Sequence, residues 1–372
     1  SARAGNLQPT HAAGLPQQPP DDLGKGQPCA PFGPAADQPR RARRAPHEGL
    51  HHRDDDIAQG GVARELDLTV QVDLVAWVGV DALGVDEEGA GGAGLEAAYE
   101  GFPEPVRDSI EVNATIPAVP ASEVPAVVER YPGCRTFKIK VAEKGHTLAD
   151  DAARVRAVRD TITQRGEIPI LRVDANGGWS VAEAVEAAQA LMPLDYMEQP
   201  CASAEELVEV RRQLMRNGLF VRVAADESIR KVEDPYRVAD LQAADVAVVK
   251  PAPLGGVRRV LEVAQHLRER HMDITVASAL DTSIGINMGL AAVAALPRIY
   301  DDEDIDVTPA AAGLATGSLF AEDVTAPRPL VNGHLPADIL APDPDRLAAL
   351  AAPADRRDWW FDRVRACWPH LD

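Results

Sequence analysis

The chain has 372 residues and a formal net charge of −20, enough for one large domain with a smaller partner or an extended tail rather than two comparable domains. So acidic a surface repels phosphate backbones and the cytoplasmic face of membranes alike, which argues against nucleic acid and membrane as partners and for a small molecule. Cys29, Cys134, Cys201 and Cys367 lie far apart with no CxxC pair, so they are expected to be reduced thiols in a cytoplasmic protein. No window reaches the roughly 18 to 20 consecutive apolar residues of a membrane span, and the start lacks the apolar run of a signal peptide.

Residues 1–60 are rich in Pro, Gln, Gly, Arg and Asp, with the basic run Arg40, Arg41, Arg43, Arg44 followed by His47, His51 and His52. A nucleic-acid arm or a histidine metal tract would use such residues, but a solvated tail explains the composition without either. Leu66–Val80 alternates as strands do, and Asp81–Gly94 then dissolves into Gly, Glu and Ala without the GK[ST] of a phosphate loop.

From Asn113 onward, apolar β-branched runs alternate with helical stretches. Strands are expected at Asn113–Val119, Thr136–Val141, Pro169–Asn176, Asp195–Gln199, Val221–Glu227, Val246–Lys250, Ile274–Ala279 and Ala312–Thr316. Helices fall between them at Asp150–Ile162, Val181–Met192, Ala204–Met215, Gly256–His271 and Ser283–Leu296. In the fourth of these, Val257, Val260, Leu261, Ala264 and Leu267 recur at helical spacing. Eight strands in this beat predict an α/β fold of the (β/α)8 barrel type, since an open doubly wound sheet would carry a Gly-rich first turn. The organisation expected is an atypical region over 1–94, the barrel over 95–325, and an extension over 326–372. That extension ends in a helix with Trp359, Trp360, Phe361, Val364 and Trp368 that packs on the barrel or a partner.

The charges fall at the C-terminal ends of consecutive strands: Lys138 and Lys140, Asp174, Glu198, Asp226 and Lys250. In a parallel barrel this is the end where catalytic groups converge. Asp174, Glu198, Asp226 and Lys250 are separated by 24, 28 and 24 residues, about one strand–helix unit each time. Lys138 and Lys140 share one face, because strand side chains alternate. Any one of these charges would serve as a strand cap at the water boundary. Five consecutive strands bearing complementary charges are a site, since a buried charge is costly unless it is paired or ligates a metal. Three carboxylates without His or Cys make a hard oxygen site suited to Mg2+, with Mn2+ as a substitute. A lysine that acts as a base must give up its proton, which a dication, a neighbouring cation such as Lys138 and partial burial all promote.

The ordered set Lys138-x-Lys140, Asp174-Ala-Asn176-Gly177, Glu198-Gln199-Pro200, Asp226-Glu227-Ser228 and Lys250-Pro251 resembles the enolase superfamily in its muconate-cycloisomerase-like branch, over Leu95–Thr325. The resemblance implies an α+β capping domain ahead of the barrel, which residues 1–94 match poorly. That composition would also suit a disordered segment or a misassigned or frame-shifted start.

It further implies a Mg2+-dependent enzyme acting on a small-molecule carboxylate. Asp174, Glu198 and Asp226 would be the metal ligands, Lys140 the base, Lys250 the opposing cation, and Asn176 and Glu227 would order the ligands through hydrogen bonds. Within the branch, Asn113–Val119, Cys134–Lys140, Ser278–Gly285 and Gly313–Thr316 are similar to actinobacterial dehydratases. That likeness implies loss of water from 2-succinyl-6-hydroxy-2,4-cyclohexadiene-1-carboxylate in menaquinone biosynthesis. Ser278, Ser283, Gly285 and Thr316 would then contact the succinyl tail, although each also suits an ordinary turn or helix cap.

The rival activities are N-succinylamino acid racemisation, dipeptide epimerisation and cycloisomerisation. Gly313–Thr316 lacks the Asp-x-Asp pair expected of a dipeptide epimerase. A rival of another class is a non-catalytic scaffold without a working capping domain. The sequence leaves the choice between monomer and homo-oligomer open.

Overall fold

The strands are short, three to five residues each, and those of the barrel are rich in buried apolar residues, as in the fully buried run Val246–Val249. The structure, a computed structural model, describes residues 102–299 and 309–367; the expectations for residues 1–94 lie outside the described residues. In chain order the elements begin with β1 (Ser109–Glu111), β2 (Ala114–Ile116), α1 (Val124–Val128), β3 (Thr136–Lys140), α2 (Leu148–Thr163) and β4 (Ile170–Asp174). They continue with α3 (Val181–Leu191), β5 (Tyr196–Glu198), α4 (Ala204–Arg216), β6 (Arg222–Ala225), α5 (Asp234–Asp240) and β7 (Val246–Val249). Next come α6 (Pro251–Leu254), α7 (Val257–Arg268), β8 (Asp273–Val276), α8 (Ile286–Ala295), β9 (His334–Pro336), α9 (Pro344–Ala349) and α10 (Ala354–Cys367).

Strands β2 to β8 pair in sequence order as one parallel seven-stranded sheet. Ala312 and Gly313 take the eighth place. Parallel bridges join Val112 to Ala312 and Ala277 to Gly313; Asn113 N donates to Ala312 O, and Gly313 N to Val276 O, each at 2.9 Å. The curled sheet thus closes through two residues, not through the full strand expected at Ala312–Thr316. The backbones approach closely at this seam, since a Cβ on Gly313 would stand 3.1 Å from Ala277 Cβ. The chain then turns into a 3-10 helix at Gly317–Leu319. The first barrel strand is likewise shorter than Asn113–Val119, because Pro117 has no N–H to continue the ladder.

Three helices start on the same local device. Thr147 with Asp150, Ser180 with Glu183, and Ser203 with Glu206 form capping boxes at the heads of α2, α3 and α4. In each, the hydroxyl satisfies an orphan N–H and the acid reaches back to the cap. On α7 the buried stripe is Val257, Val260, Val263, Ala264 and Leu267. Leu261, expected in the stripe, sits on its shoulder, because at about 100° per residue the buried arc centres between Val260 and Leu267.

The N-terminal ends of the barrel strands are closed by ions. Arg172 is 1% exposed and crosses the interior: Nε donates to Asp195 Oδ2 at 2.9 Å, and Nη1 to Ala311 O at 2.7 Å and Asn113 Oδ1 at 3.3 Å. Its guanidinium lies 4.6 Å from the centroid of the Tyr196 ring. Arg222 ties Asp195 to Asp273. Tyr196, Ala224, Val246, Val248 and Ala277 fill the interior as one apolar cluster.

The chain after residue 325 returns to this unit. β9 pairs antiparallel with β1, Leu335 opposite Ile110, and Asn287 exchanges hydrogen bonds with the backbone of Leu340. The expected C-terminal helix forms as α10, where Trp359 and Trp360 meet edge-to-face at 4.8 Å. Among the described residues no helix is long and apolar enough to cross a membrane.

Candidate active site

In-register pairing brings the charges together. Lys140 stands opposite Asp174, and Asp174 opposite Glu198, on β3, β4 and β5. Lys138 and Lys140, on one strand face, both reach Asp174 Oδ2, at 3.1 and 2.9 Å. Lys138 Nζ also donates to Glu198 Oε1 at 2.8 Å, and Lys140 Nζ to Asn176 Oδ1 at 2.7 Å. On the far side, Asp226 Oδ1 accepts from Lys250 Nζ at 2.5 Å and Arg230 Nη1 at 3.0 Å. Asn176 links the two sides, donating from Nδ2 to Glu227 Oε1 at 3.1 Å. Glu227 also pairs with Arg230.

Burial sets the electrostatics. Asp174 and Glu198 are each 1% exposed. Burial works against the Asp174 carboxylate, but the Lys138 and Lys140 ammoniums outweigh it and hold the group well below the usual range. Glu198 goes the other way, pushed up by burial and by the charge of Asp174. Burial opposes the charge on Lys138, yet Glu198 and Asp174 keep it cationic. These are the responses expected when more negative charge is buried than the adjacent cations offset.

Among the described residues, no three carboxylate, imidazole or thiol groups are gathered tightly enough about one point to hold a metal ion. The Lys138 ammonium lies between Asp174 and Glu198. The fit to a cation rests on the donor set: two buried carboxylates side by side on β4 and β5, and Glu198 Oε2, which is buried and makes no hydrogen bond. An unpaired buried carboxylate oxygen is costly in an apolar setting and matches a hard, oxygen-seeking cation.

The residues assigned to the substrate tail divide into two groups. Ser278 Oγ lies 2.9 Å from Thr316 Oγ1 and accepts from Asp281 N at 3.0 Å. Ser283, in contrast, is 2% exposed, and its hydroxyl donates to Asp323 Oδ2 at 2.7 Å. Gly285 lets this loop close on itself, since a Cβ there would stand 2.7 Å from Asp281 Cβ.

Sequence spacing did not reveal Arg230 or Gln199. Arg230 follows Asp226 at i+4, a helical interval within a loop, so only the fold shows the pair. Gln199, fully buried and at a φ of 37°, accepts from Asp226 N at 3.0 Å and Ser228 N at 3.1 Å and donates to Cys201 O and Ser228 Oγ. It joins the segment after Glu198 to the segment carrying Asp226. Cys134 and Cys201 are free buried thiols, both pushed up to about 12 by burial, and so inert as nucleophiles.

A closed parallel barrel with lysines and carboxylates at the strand ends defines the class. Residues 121–339 match the enolase C-terminal domain-like family, and the chain belongs to that family, as an enzyme. It is 53% identical over 276 residues to an o-succinylbenzoate synthase of Mycolicibacterium smegmatis, covering 73% of this chain and 79% of the relative. It is 50% identical over 280 residues to that of Mycobacterium tuberculosis, covering 74% and 79%. Among solved structures, muconate lactonizing enzyme from Pseudomonas fluorescens complexed with muconolactone aligns at a TM-score of 0.57 with 25% identity, over 68% of this chain and 67% of that one. N-succinyl Arg/Lys racemase from Bacillus cereus shares the fold, at a TM-score of 0.54 and 18% identity over 68% of this chain and 66% of that one.

Proposed function

We propose that the chain is an o-succinylbenzoate synthase, removing water by syn elimination from 2-succinyl-6-hydroxy-2,4-cyclohexadiene-1-carboxylate in menaquinone biosynthesis. The observation that carries this reading is Lys140 on one side and Lys250 on the other of a buried carboxylate set, in a chain half identical to enzymes of that name.

Asp174, Glu198 and Asp226 would hold Mg2+, or Mn2+ in its place. When bound, the ion supplies positive charge against which a substrate carboxylate gains negative charge as the adjacent carbon loses its proton. Lys140 Nζ takes that proton. The electron pair of the broken C–H bond moves into the ring, the C–O bond breaks, and Lys140 returns the proton to the departing hydroxyl, which leaves as water. Lys250 Nζ stays protonated and faces the developing π system from the opposite side. Lys138, bonded to both Asp174 and Glu198, holds those carboxylates in place. Asn176, between Lys140 and Glu227, fixes the direction of the Lys140 amine. Ser278 and Thr316 present a hydroxyl pair to the substrate tail.

The test is the ultraviolet absorbance of o-succinylbenzoate formed by the full chain with Mg2+. Lys140→Ala is expected to abolish turnover while circular dichroism stays that of the folded barrel. Full activity in Lys140→Ala would sink the assignment. Two lysines on opposite sides of the site also suit two-face proton exchange, the chemistry of a racemase. Incubation with N-succinyl amino acids in deuterated water, followed by mass spectrometry for α-exchange, separates the two activities.

A further inference from the structure

Beneath Lys140, on α2, lies an ion pair with no part in the chemistry so far described. Arg154 and Asp151 are each 1% exposed and lie 2.8 Å apart. Burying two charges costs more than burying apolar side chains of the same volume. Packing of α2 on the sheet does not require it, because Val155, Val158 and Ile162 are already buried there. What the pair touches is specific. Arg154 Nη1 donates to Lys140 O at 2.9 Å and Nε to Val119 O at 2.8 Å, while Nη2 lies 2.8 Å from His146 Nδ1. Asp151 Oδ2 accepts from Ala142 N at 2.9 Å.

The two residues therefore grip the backbone on both sides of the peptide units that follow Lys140, just where β3 ends. Ala142 sits at a φ of 61°, a left-handed conformation that costs an alanine energy and persists only where the surroundings impose it. The turn is held from the other side as well, since a Cβ on Gly178 would meet Ala142 Cβ at 3.0 Å. The strand end is locked by the helix behind it and by the loop that follows Asp174.

We propose that Asp151 and Arg154 are positioning residues for proton transfer, setting the direction in which Lys140 leaves the strand. This rests on Lys140 being the base. A misplacement of about 1 Å at a reacting group can cost on the order of a hundredfold in rate, so a loss in kcat without a matching change in binding is the signature.

The experiment uses the full chain with Mg2+ and compares wild type, Lys140→Ala, Arg154→Met and Asp151→Asn. Asp151→Asn keeps the side-chain volume and an acceptor for Ala142 N, and so guards against failure to fold. With circular dichroism and the Mg2+ concentration for half-maximal rate unchanged, Arg154→Met is expected to lower kcat about 10- to 100-fold and Asp151→Asn by about 3- to 10-fold. KM should stay within about twofold of wild type in both, and Arg154→Lys, which keeps the positive charge beside Asp151 but not the planar fork, should recover part of the loss. Wild-type kcat in Arg154→Met and Asp151→Asn, or a fall matched by loss of folded protein or by a parallel rise in KM, overturns the proposal. If Lys140→Ala remains active, the reading of Lys140 itself has failed, and that outcome is distinguishable from the others.

Discussion

At the scale of single residues, the site divides into charges that do chemistry and buried polar groups that aim them. Gln199 belongs to the second group. Gln199→Leu would leave the buried N–H of Asp226 and the half-buried N–H of Ser228 without their acceptor, and such a loss at a buried donor costs about 1 to 3 kcal/mol. The expected result is a loss of about 2 kcal/mol or more in urea unfolding together with a slower reaction, whereas unchanged stability would remove Gln199 from this role. The charges were legible in the sequence because a barrel repeats, so one chemical position per strand–helix unit leaves a spacing. Gln199 and Arg154 were not, because each bonds to the backbone of a different loop, and no spacing or residue type records which carbonyl a guanidinium will find.

At the scale of elements, helix starts were written locally and strand ends were not. Capping boxes at Thr147, Ser180 and Ser203 need only residues three apart. Ser203→Ala is expected to cost about 1 kcal/mol, read as a lower urea midpoint with kcat little changed, since the Ser203 hydroxyl bonds within its own capping box, to Glu206. Strand ends depend on partners. β2 is the exception, stopping at Ile116 ahead of Pro117, whereas the expected strand at Ala312–Thr316 survives as two bridged residues. The pairing of β1 with β9 brings together segments more than two hundred residues apart; neither shows an alternating pattern long enough to announce a strand.

At the scale of the whole molecule, the barrel has two electrostatic ends. One carries the lysines and carboxylates of the site; the other is closed by Arg172, Arg222, Asp195 and Asp273. Burial works against the charge of Asp195, but the Arg172 and Arg222 guanidiniums outweigh it and hold the carboxyl below its ordinary value. Its folded pKa therefore lies below the unfolded one. The stabilisation is complete above the unfolded value, about 4, and is lost as pH falls through the folded value. Unfolding free energy measured across this acid range should fall less steeply in Asp195→Asn than in wild type; identical slopes would refute the linkage.

The two-residue closure at Ala312 and Gly313 is also expected to bear on solubility. With those bridges made, the parallel sheet has no free margin; with them broken, the backbone beside Val112 and beside Ala277 becomes a pair of open strands to which another chain can add. Gly313→Pro removes the N–H given to Val276 O and should open that margin. Light scattering and thioflavin binding on warming are expected to rise well before bulk unfolding, so a bond count as small as this one separates a monodisperse barrel from a template for aggregation.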